Sequence, residues 1–561
     1  MNFPIDSVIP QLAEALAQRS TAILVAEPGA GKTTRVPLAL LASPWLGSKK
    51  IVMLEPRRLA ARAAAKRMAE TLGEEIGATV GYTVRLERKV SASTRIEVVT
   101  EGILTRRLQN DPELKDTGLI IFDEFHERSL DGDLGLALTL DMRHGLREDL
   151  RLLVMSATLD AGRLSKHLGG AEIIETAGRV FPVETRYLAK AARNTISADA
   201  CKAVQQALRE TRESILVFLP GESEIRRTAD MLSAANLPGT VLVRPLYGAM
   251  GFAEQDAALQ PSPAGFRKIV LATTIAETSL TIEGVGAVID AGFKRSPRFD
   301  PASGMTSLET VRVSLASADQ RRGRAGRLGP GVCYRLWPEA ETRALSPHDQ
   351  PEILVSDLAP LALELAAWGV SDPASLSWLD APPSAAFAQA QDLLRKLEAV
   401  DAAGGITAMG KAMVKTPLHP RLAHMVVKGN ALGAGEAAAE LAAFLSERDG
   451  LGRDAGCDIG ARILATRGTA RQRIQAAARQ IKQIVGATAD TASIGEGVLT
   501  VLAWPDRIGQ RRGGDRRYRL SGGGGAILPE HDGLGKSEWL AVATTDGAAG
   551  DQRIFLAAPL T

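Results

Sequence analysis

Cysteine is scarce in this chain, and the three present, Cys201, Cys333 and Cys457, are odd in number and scattered without metal-ligand spacing. That argues against a disulfide framework and for a reducing, cytoplasmic compartment. No stretch approaches the ~20 apolar residues needed to cross a bilayer. Residues 1–20 also lack the basic start and apolar run of a secretory signal. A soluble protein with no membrane partner is therefore expected. Net charge is almost absent too, since 67 basic residues face 65 acidic ones and leave +2. Any grip on a polyanion must come from local patches rather than a uniformly basic surface. A chain of 561 residues exceeds what one core organises, and roughly three to five domains are expected.

What the chain does have begins with Thr21–Ala26, an apolar strand, followed by Glu27-Pro-Gly-Ala-Gly-Lys-Thr-Thr34 and a helical run through Leu41. Strand, glycine-rich loop and helix stand in the order that a phosphate-binding loop requires. Gly29 and Gly31 allow backbone N–H groups to surround phosphates, with Ala30 and Thr34 in the same wrap. Lys32 reaches the β- and γ-phosphates, and Thr33 is a candidate Mg²⁺ ligand. The strict pattern has glycine where Ala26 stands, and a plain strand–helix turn is the alternative.

A second apolar strand, Gly118–Phe122, ends in Asp123-Glu-Phe-His-Glu-Arg128. Open α/β sheets bind ligands at this carboxyl edge. Asp123 is placed to hold Mg²⁺ through water, and Glu124 to share the metal site and to orient and deprotonate an attacking water. Alone, such a string is equally an acidic helix start. The strand before it and the lysine loop upstream favour chemistry. His126 reads either as an ordinary helix-start histidine or as part of the site.

Taken together, these segments resemble a superfamily-two ATP-dependent RNA helicase of the DEAH-box type, with Phe125 where many members carry alanine. Leu54-Glu-Pro-Arg-Arg-Leu-Ala60, Thr100-Glu-Gly102 and Ser156-Ala-Thr158 resemble motifs Ia, Ib and III. The resemblance implies that Arg57, Arg58, Thr100, Glu101 and Gly102 contact the backbone of single-stranded RNA. It implies the same for Arg85 in the turn Gly81-Tyr-Thr-Val-Arg85. Arg67 stands where relatives stack an arginine on adenine, although a surface-helix role fits as well.

Further on, Gln320-Arg-Arg-Gly-Arg-Ala-Gly-Arg327 resembles motif VI. Arg324 and Arg327 are then the arginine fingers, and Gln320 helps to place the water. The 273–282 segment resembles motif V, with Thr273 on RNA backbone and Ser279 sensing the γ-phosphate, unless either is a simple helix cap. Asp290 is a candidate for the nucleotide ribose, with a structural turn as the equal alternative. Residues 293–314 are read as a β-hairpin, a strand-separating wedge by resemblance.

The expected fold is α/β, with two tandem RecA-like domains, 1–180 and 181–345. A winged-helix domain (346–415), a helical bundle (416–512) and a partial OB-like fold (513–561) follow. Relatives continue past such a point, so residue 561 is read as lying inside a longer natural chain. Arg507, Arg511, Arg512, Arg516, Arg517 and Arg519 crowd one stretch, either a solvated face or the lining of an RNA channel.

The function expected is an ATP-dependent RNA helicase using ATP and Mg²⁺ as a monomer. It would move 3′ to 5′ by resemblance, on single-stranded RNA or a duplex with a single-stranded tail. Single-stranded DNA is the rival polymer, because backbone contacts discriminate poorly unless the 2′-OH is read. An RNA-stimulated ATPase that does not unwind, and an RNA-binding scaffold with a silent nucleotide site, are the other readings.

Overall fold

The structure, a computed structural model, describes residues 3–27, 29–84, 87–157, 160–176, 178, 181–188, 195–248, 250–277, 282–300, 305–447, 449–452, 455–513, 516–546 and 550–560. The chain divides into two compact units, one of residues 1–296, 308–353 and 376–380, the other of 297–307, 354–375 and 381–561.

The first unit holds two α/β lobes. In the first lobe, eight strands form one sheet: β1 Thr21–Ala26, β2 Lys50–Glu55, β3 Val80–Val84, β4 Glu87–Lys89, β5 Ile96–Thr100, β6 Thr117–Phe122, β7 Arg151–Ser156 and β8 Glu172–Thr176. Their order is β4-β3-β5-β2-β6-β7-β1-β8, parallel except for the β3–β4 pair. Strands buried on both faces need continuous apolar runs, and every residue of β6 is buried. Because β1, β2, β5, β6 and β7 run parallel, the segments that follow them all emerge at one edge. Those segments are the glycine loop, the turn with Arg57 and Arg58, the helix start at Thr100-Glu101-Gly102, the acid pair and Ser156-Ala157.

Alternation sorts the two faces of this sheet. Met53, Ile121, Leu24 and Met155 share a core with Val36 and Leu40 of the helix after the glycine loop. Leu54 and Phe122 point the other way, both within reach of a Cβ built on Gly135 in helix Leu130–Gly145.

The second lobe has β9 Val183–Tyr187, β10 Ser214–Phe218, β11 Val241–Leu246, β12 Arg267–Ala272, β13 Val285–Asp290, β14 Phe293–Asp300, β15 Met305–Arg312 and β16 Gly331–Arg335. Six of these form a parallel sheet in the order β11-β12-β10-β13-β16-β9, with a hydrophobic cluster on each face. Strands β14 and β15 pair separately as the expected hairpin. Its turn at 301–304, with Gly304, lies outside the described residues.

In the second unit, helices Ala359–Trp368, Ser384–Lys396 and Ala408–Val414 accompany a small antiparallel bridge between Val400 and Ile406. Helices Pro420–Ala431, Gly435–Ser446, Gly468–Val485 and Glu496–Ala503 share an alanine-rich core. The small side chains permit close approach: a Cβ on Gly429 would stand 2.7 Å from that of Ala438.

The arginine-rich stretch is the main departure from expectation. It folds as β17 Ile508–Arg511 and β18 Arg517–Leu520, which join β19 Gly525–Ile527, β20 Trp539–Thr545 and β21 Asp551–Pro559. The expected OB-like fold was partial and began at 513, whereas five strands from Ile508 to Pro559 close a barrel. Closure follows because β20 pairs with both β17 and β21. Tyr518 and Leu520 are buried while Arg517 and Arg519 face out, so alternate arginines had masked a period-two strand. Arg507, Arg511 and Arg516 donate to backbone carbonyls of Ala543, Gly535 and Pro529, which gives them structural work.

Tyr518 is fully buried in the barrel, and its hydroxyl donates to the Ser537 carbonyl at 2.8 Å. Tyr518→Ala is expected to destabilise the barrel by about 3 kcal/mol. The check is the urea concentration at which trypsin begins to cut within 508–559. An unchanged midpoint would contradict the packing described.

Candidate active site

Gly29 and Gly31 adopt φ of +91° and +93°, the left-handed region that costs glycine nothing, and the second caps helix Lys32–Leu40. This turn drives Lys32 under the sheet edge, where it is 4% exposed. Its Nζ lies 3.0 Å from Glu124 Oε2 and 3.7 Å from Asp123 Oδ1. Thr33 Oγ1 donates to Asp123 Oδ2 at 2.6 Å, and the Glu124 N–H donates to Asp123 Oδ1 at 2.8 Å. Glu124 itself sits at φ +51°, a backbone conformation that non-glycine residues rarely adopt and that re-aims its carboxylate.

Burial alone would raise Glu124, but the Lys32 ammonium holds it below the usual carboxylate range, as a base that stays ionised. Burial and the neighbouring Glu124 push Asp123 the other way, against Lys32. A hydroxyl and a carboxylate turned toward each other beside phosphate-binding amides are hard oxygen donors that suit Mg²⁺.

The second lobe completes the arrangement. His126 Nε2 lies 2.9 Å from Gln320 Nε2, and His126 Nδ1 accepts from the Ala157 N–H at 3.4 Å. Burial lowers the His126 pKa, so the ring is neutral. Nδ1 also lies 3.5 Å from Glu124 Oε2, and the imidazole tautomer sets which partner donates in the contact with Gln320.

Arg324 is 4% exposed and donates to the Glu277 carbonyl at 3.0 Å. Burial and the adjacent Arg327 push its pKa well below the arginine norm, and burial brings Arg327 down to about 10. Both remain cations at neutral pH. A buried Arg324 beside a half-buried Arg327 puts two repelling guanidinium groups together, a place where a polyphosphate is welcome.

Arg321, which the sequence reading passed over, proves to be the organiser of this segment. It is 1% exposed, lies over the Phe218 ring at 4.9 Å, and donates to Glu277 at 3.0 Å and to Asp290 at 2.8 Å. Of the two readings of Asp290, the structural one has contacts with Arg321 and the Gly292 N–H behind it, both made through Oδ1. The residue is fully buried, so it pins β13 to the arginine segment. Two acids and one arginine inside a lobe, far apart in sequence, leave no local signal.

The expected RNA-side residues divide. Arg57 bridges the lobes, donating to the Thr274 carbonyl at 2.7 Å and to Glu127 at 3.0 Å. Thr273 precedes that turn at the end of β12. Arg58 and Arg67 are exposed on helix Arg58–Leu72, Arg67 without any nucleotide-site partner in view. Thr100 and Gly102 flank the start of helix Glu101–Asn110, while the Glu101 side chain turns inward and accepts from Ser129 Oγ at 2.5 Å. Arg85, Ser279 and Thr158 lie outside the described residues. Glu55, at the end of β2, was also missed: it is completely buried, and neither carboxylate oxygen has a hydrogen-bond partner among the described residues.

A phosphate loop facing an acid pair on one RecA-like lobe, with arginines brought up by a second, defines a nucleoside-triphosphate-driven motor of the helicase class. Residues 6–166 match the DEAD/DEAH box helicase model, and residues 199–329 match the helicase conserved C-terminal domain. Over 558 residues the chain is 46% identical to the ATP-dependent RNA helicase HrpB of Escherichia coli K12, covering 99% of this chain and 68% of that protein. The crystal structure of the Escherichia coli DEAH/RHA helicase HrpB superposes with a TM-score of 0.90 at 44% identity, covering 100% of this chain and 70% of that one. The pre-mRNA-splicing factor ATP-dependent RNA helicase prp22 of Schizosaccharomyces pombe is 37% identical over 79% of this chain and 38% of its own length. The chain belongs to the DEAD/DEAH box helicase family, among the ATP-dependent RNA helicases of the HrpB kind.

Glu101 offers a pH readout of the first lobe. Its burial, with Asp131, Glu127 and Glu352 nearby, raises its pKa to about 8 despite the Ser129 hydrogen bond. The folded state therefore binds this proton more tightly than the unfolded chain, and its contribution to stability is lost as pH rises toward about 8. Thermal melts from mildly acidic to mildly alkaline pH should show Tm falling in the wild type. The slope should be flatter in Glu101→Gln, and identical slopes would refute the assignment.

Proposed function

We propose that this helicase hydrolyses Mg²⁺-ATP between its two RecA-like lobes and uses the resulting opening and closing to step along single-stranded RNA in the 3′ to 5′ direction. The observation that carries the reading is the His126–Gln320 pair, which joins the acid edge of one lobe to the arginine segment of the other.

In this mechanism the amides of Gly29 to Thr34 and Lys32 hold the β- and γ-phosphates. Thr33 and Asp123 would hold the magnesium ion, which when bound would neutralise phosphate charge. Glu124 accepts a proton from the water that attacks the γ-phosphorus, and ADP departs. Arg324 and Arg327 stabilise the charge on the transferring group, as phosphoryl transfer depends on position and electrostatics more than on covalent help. His126 is a positioning residue. Held by Ala157 on one side and Gln320 on the other, it registers whether the lobes are closed.

On the RNA side, Arg58, Thr100 and the first-turn amides of helix Glu101–Asn110 offer donors to phosphates at the same sheet edge. Arg57 leaves its interlobe contacts to join them. Thr273 serves from the second lobe, and the β14–β15 hairpin acts as the wedge. Residues 346–415 are assigned as a winged-helix domain and 416–507 as a helical bundle, with the barrel beginning at Ile508 and a monomer as the working unit. Without an adenine-reading segment before Ala26, several nucleoside triphosphates serve as fuel. Rates with ATP far above those with GTP, CTP and UTP would overturn that part.

The decisive measurement is hydrolysis with single-stranded RNA, single-stranded DNA and no polymer, alongside unwinding of a 3′-tailed duplex. RNA should stimulate most, and Glu124→Gln should lower the rate by 10²-fold or more, on the order of what a general base contributes. Stimulated hydrolysis without unwinding would indicate a remodeller. A wild-type rate no higher than that of Glu124→Gln would indicate a silent scaffold. His126→Ala is expected to lose more unwinding than hydrolysis, and equal losses would count against its coupling role.

A further inference from the structure

Glu55 is the last residue of β2, and its neighbour in the sheet is the segment that ends in Asp123. The register pairs Leu54 with Phe122, and the Asp123 N–H donates to the Leu54 carbonyl at 3.1 Å. Glu55 and Asp123 therefore stand side by side on adjacent strands, whose spacing is about 4.8 Å. Alternation fixes their direction. Leu54 and Phe122 face helix Leu130–Gly145, so Glu55 and Asp123 take the opposite face with Met53, Ile121 and the helix that begins at Lys32.

On that face Glu55 is 0% exposed, and both its oxygens are buried without a hydrogen-bond partner among the described residues. Asp123, by contrast, is satisfied by Thr33 and by the Glu124 N–H, and Lys32 is committed to Glu124. An orphaned buried carboxylate is costly, and such groups in native proteins answer to something that binds. A cation bound beside Asp123 and Glu124 would give this buried carboxylate a partner of opposite charge.

We propose that Glu55 is a further member of the magnesium–nucleotide site: with nucleotide bound, its carboxylate accepts hydrogen bonds from water on the ion, beside Asp123. Magnesium usually keeps several waters, and outer carboxylates orient them. The role explains why an acid tolerates this position at the end of an otherwise apolar strand. It rests on the Mg²⁺-nucleotide reading above.

The test follows binding of fluorescent ADP to the full chain during Mg²⁺ titration, for wild type, Glu55→Gln, Glu55→Asp and Lys32→Ala. Glu55→Gln should need about tenfold more Mg²⁺ to reach half-maximal tightening, as loss of an outer-sphere partner typically does. Its ADP affinity in EDTA should match wild type, and Glu55→Asp should fall between the two. Without nucleotide, Glu55→Gln should melt no lower than wild type, because it removes a buried unpaired acid. A Glu55→Gln midpoint equal to wild type overturns the inference and means a permanently protonated acid, which glutamine mimics. A lower Tm with an unchanged midpoint overturns it in favour of a structural role. Wild-type binding that ignores Mg²⁺, or that Lys32→Ala leaves intact, would sink the site reading itself.

Discussion

Lys32 lies between Asp123 and Glu124 at the carboxyl edge of a parallel sheet, and all three are buried. Removing one partner from such a group strands a charge, at a cost of about 3–5 kcal/mol. The surroundings are arranged to hold the three charges together. The glycine turn delivers the lysine, the left-handed backbone at Glu124 aims one carboxylate, and the β2–β6 register aligns the other. A triphosphate entering here trades the lysine's carboxylate partners for phosphate oxygens, so the same electrostatics that hold the edge together also make it responsive.

Discrete side chains connect that edge to the second lobe. His126 touches Ala157 and Gln320, and Arg57 spans from Glu127 to the Thr274 carbonyl. Across from them, Arg321 locks the arginine segment to β13 and Glu277 through two buried ion pairs. Arg324 and Arg327 are thus presented from a rigid base, and only a few polar contacts between the lobes need to change when they part. Rigid lobes joined by a small number of exchangeable bonds suit a switch with two states.

Much of the fold was legible in the chain. Thr21–Ala26 is a strand at the same residues in sequence and structure, and Gly118–Phe122 lies within β6, because fully buried parallel strands must be continuous apolar runs. The barrel was harder to read. Arg517-Tyr-Arg-Leu520 alternates perfectly, yet its charges drew attention away from Tyr518 and Leu520 inside. Arg57 and Asp290 were read toward ligands, Asp290 with a structural turn as the equal alternative, and the structure gives both protein partners, since a charged residue looks alike in sequence whether its partner is a phosphate or another side chain.

The sequence by itself determined the element order, the glycine loop and the acid pair, features set by local backbone geometry and by the periodicity of burial. It also carried the family through motifs whose spacing is short. Only the tertiary structure decided which charges are buried and with whom: Arg321 with Glu277 and Asp290, His126 with Gln320, Glu55 with no one. Those pairings join residues tens to hundreds of positions apart. Desolvation and partnership depend on where the folded chain brings them, a quantity that no window of sequence contains.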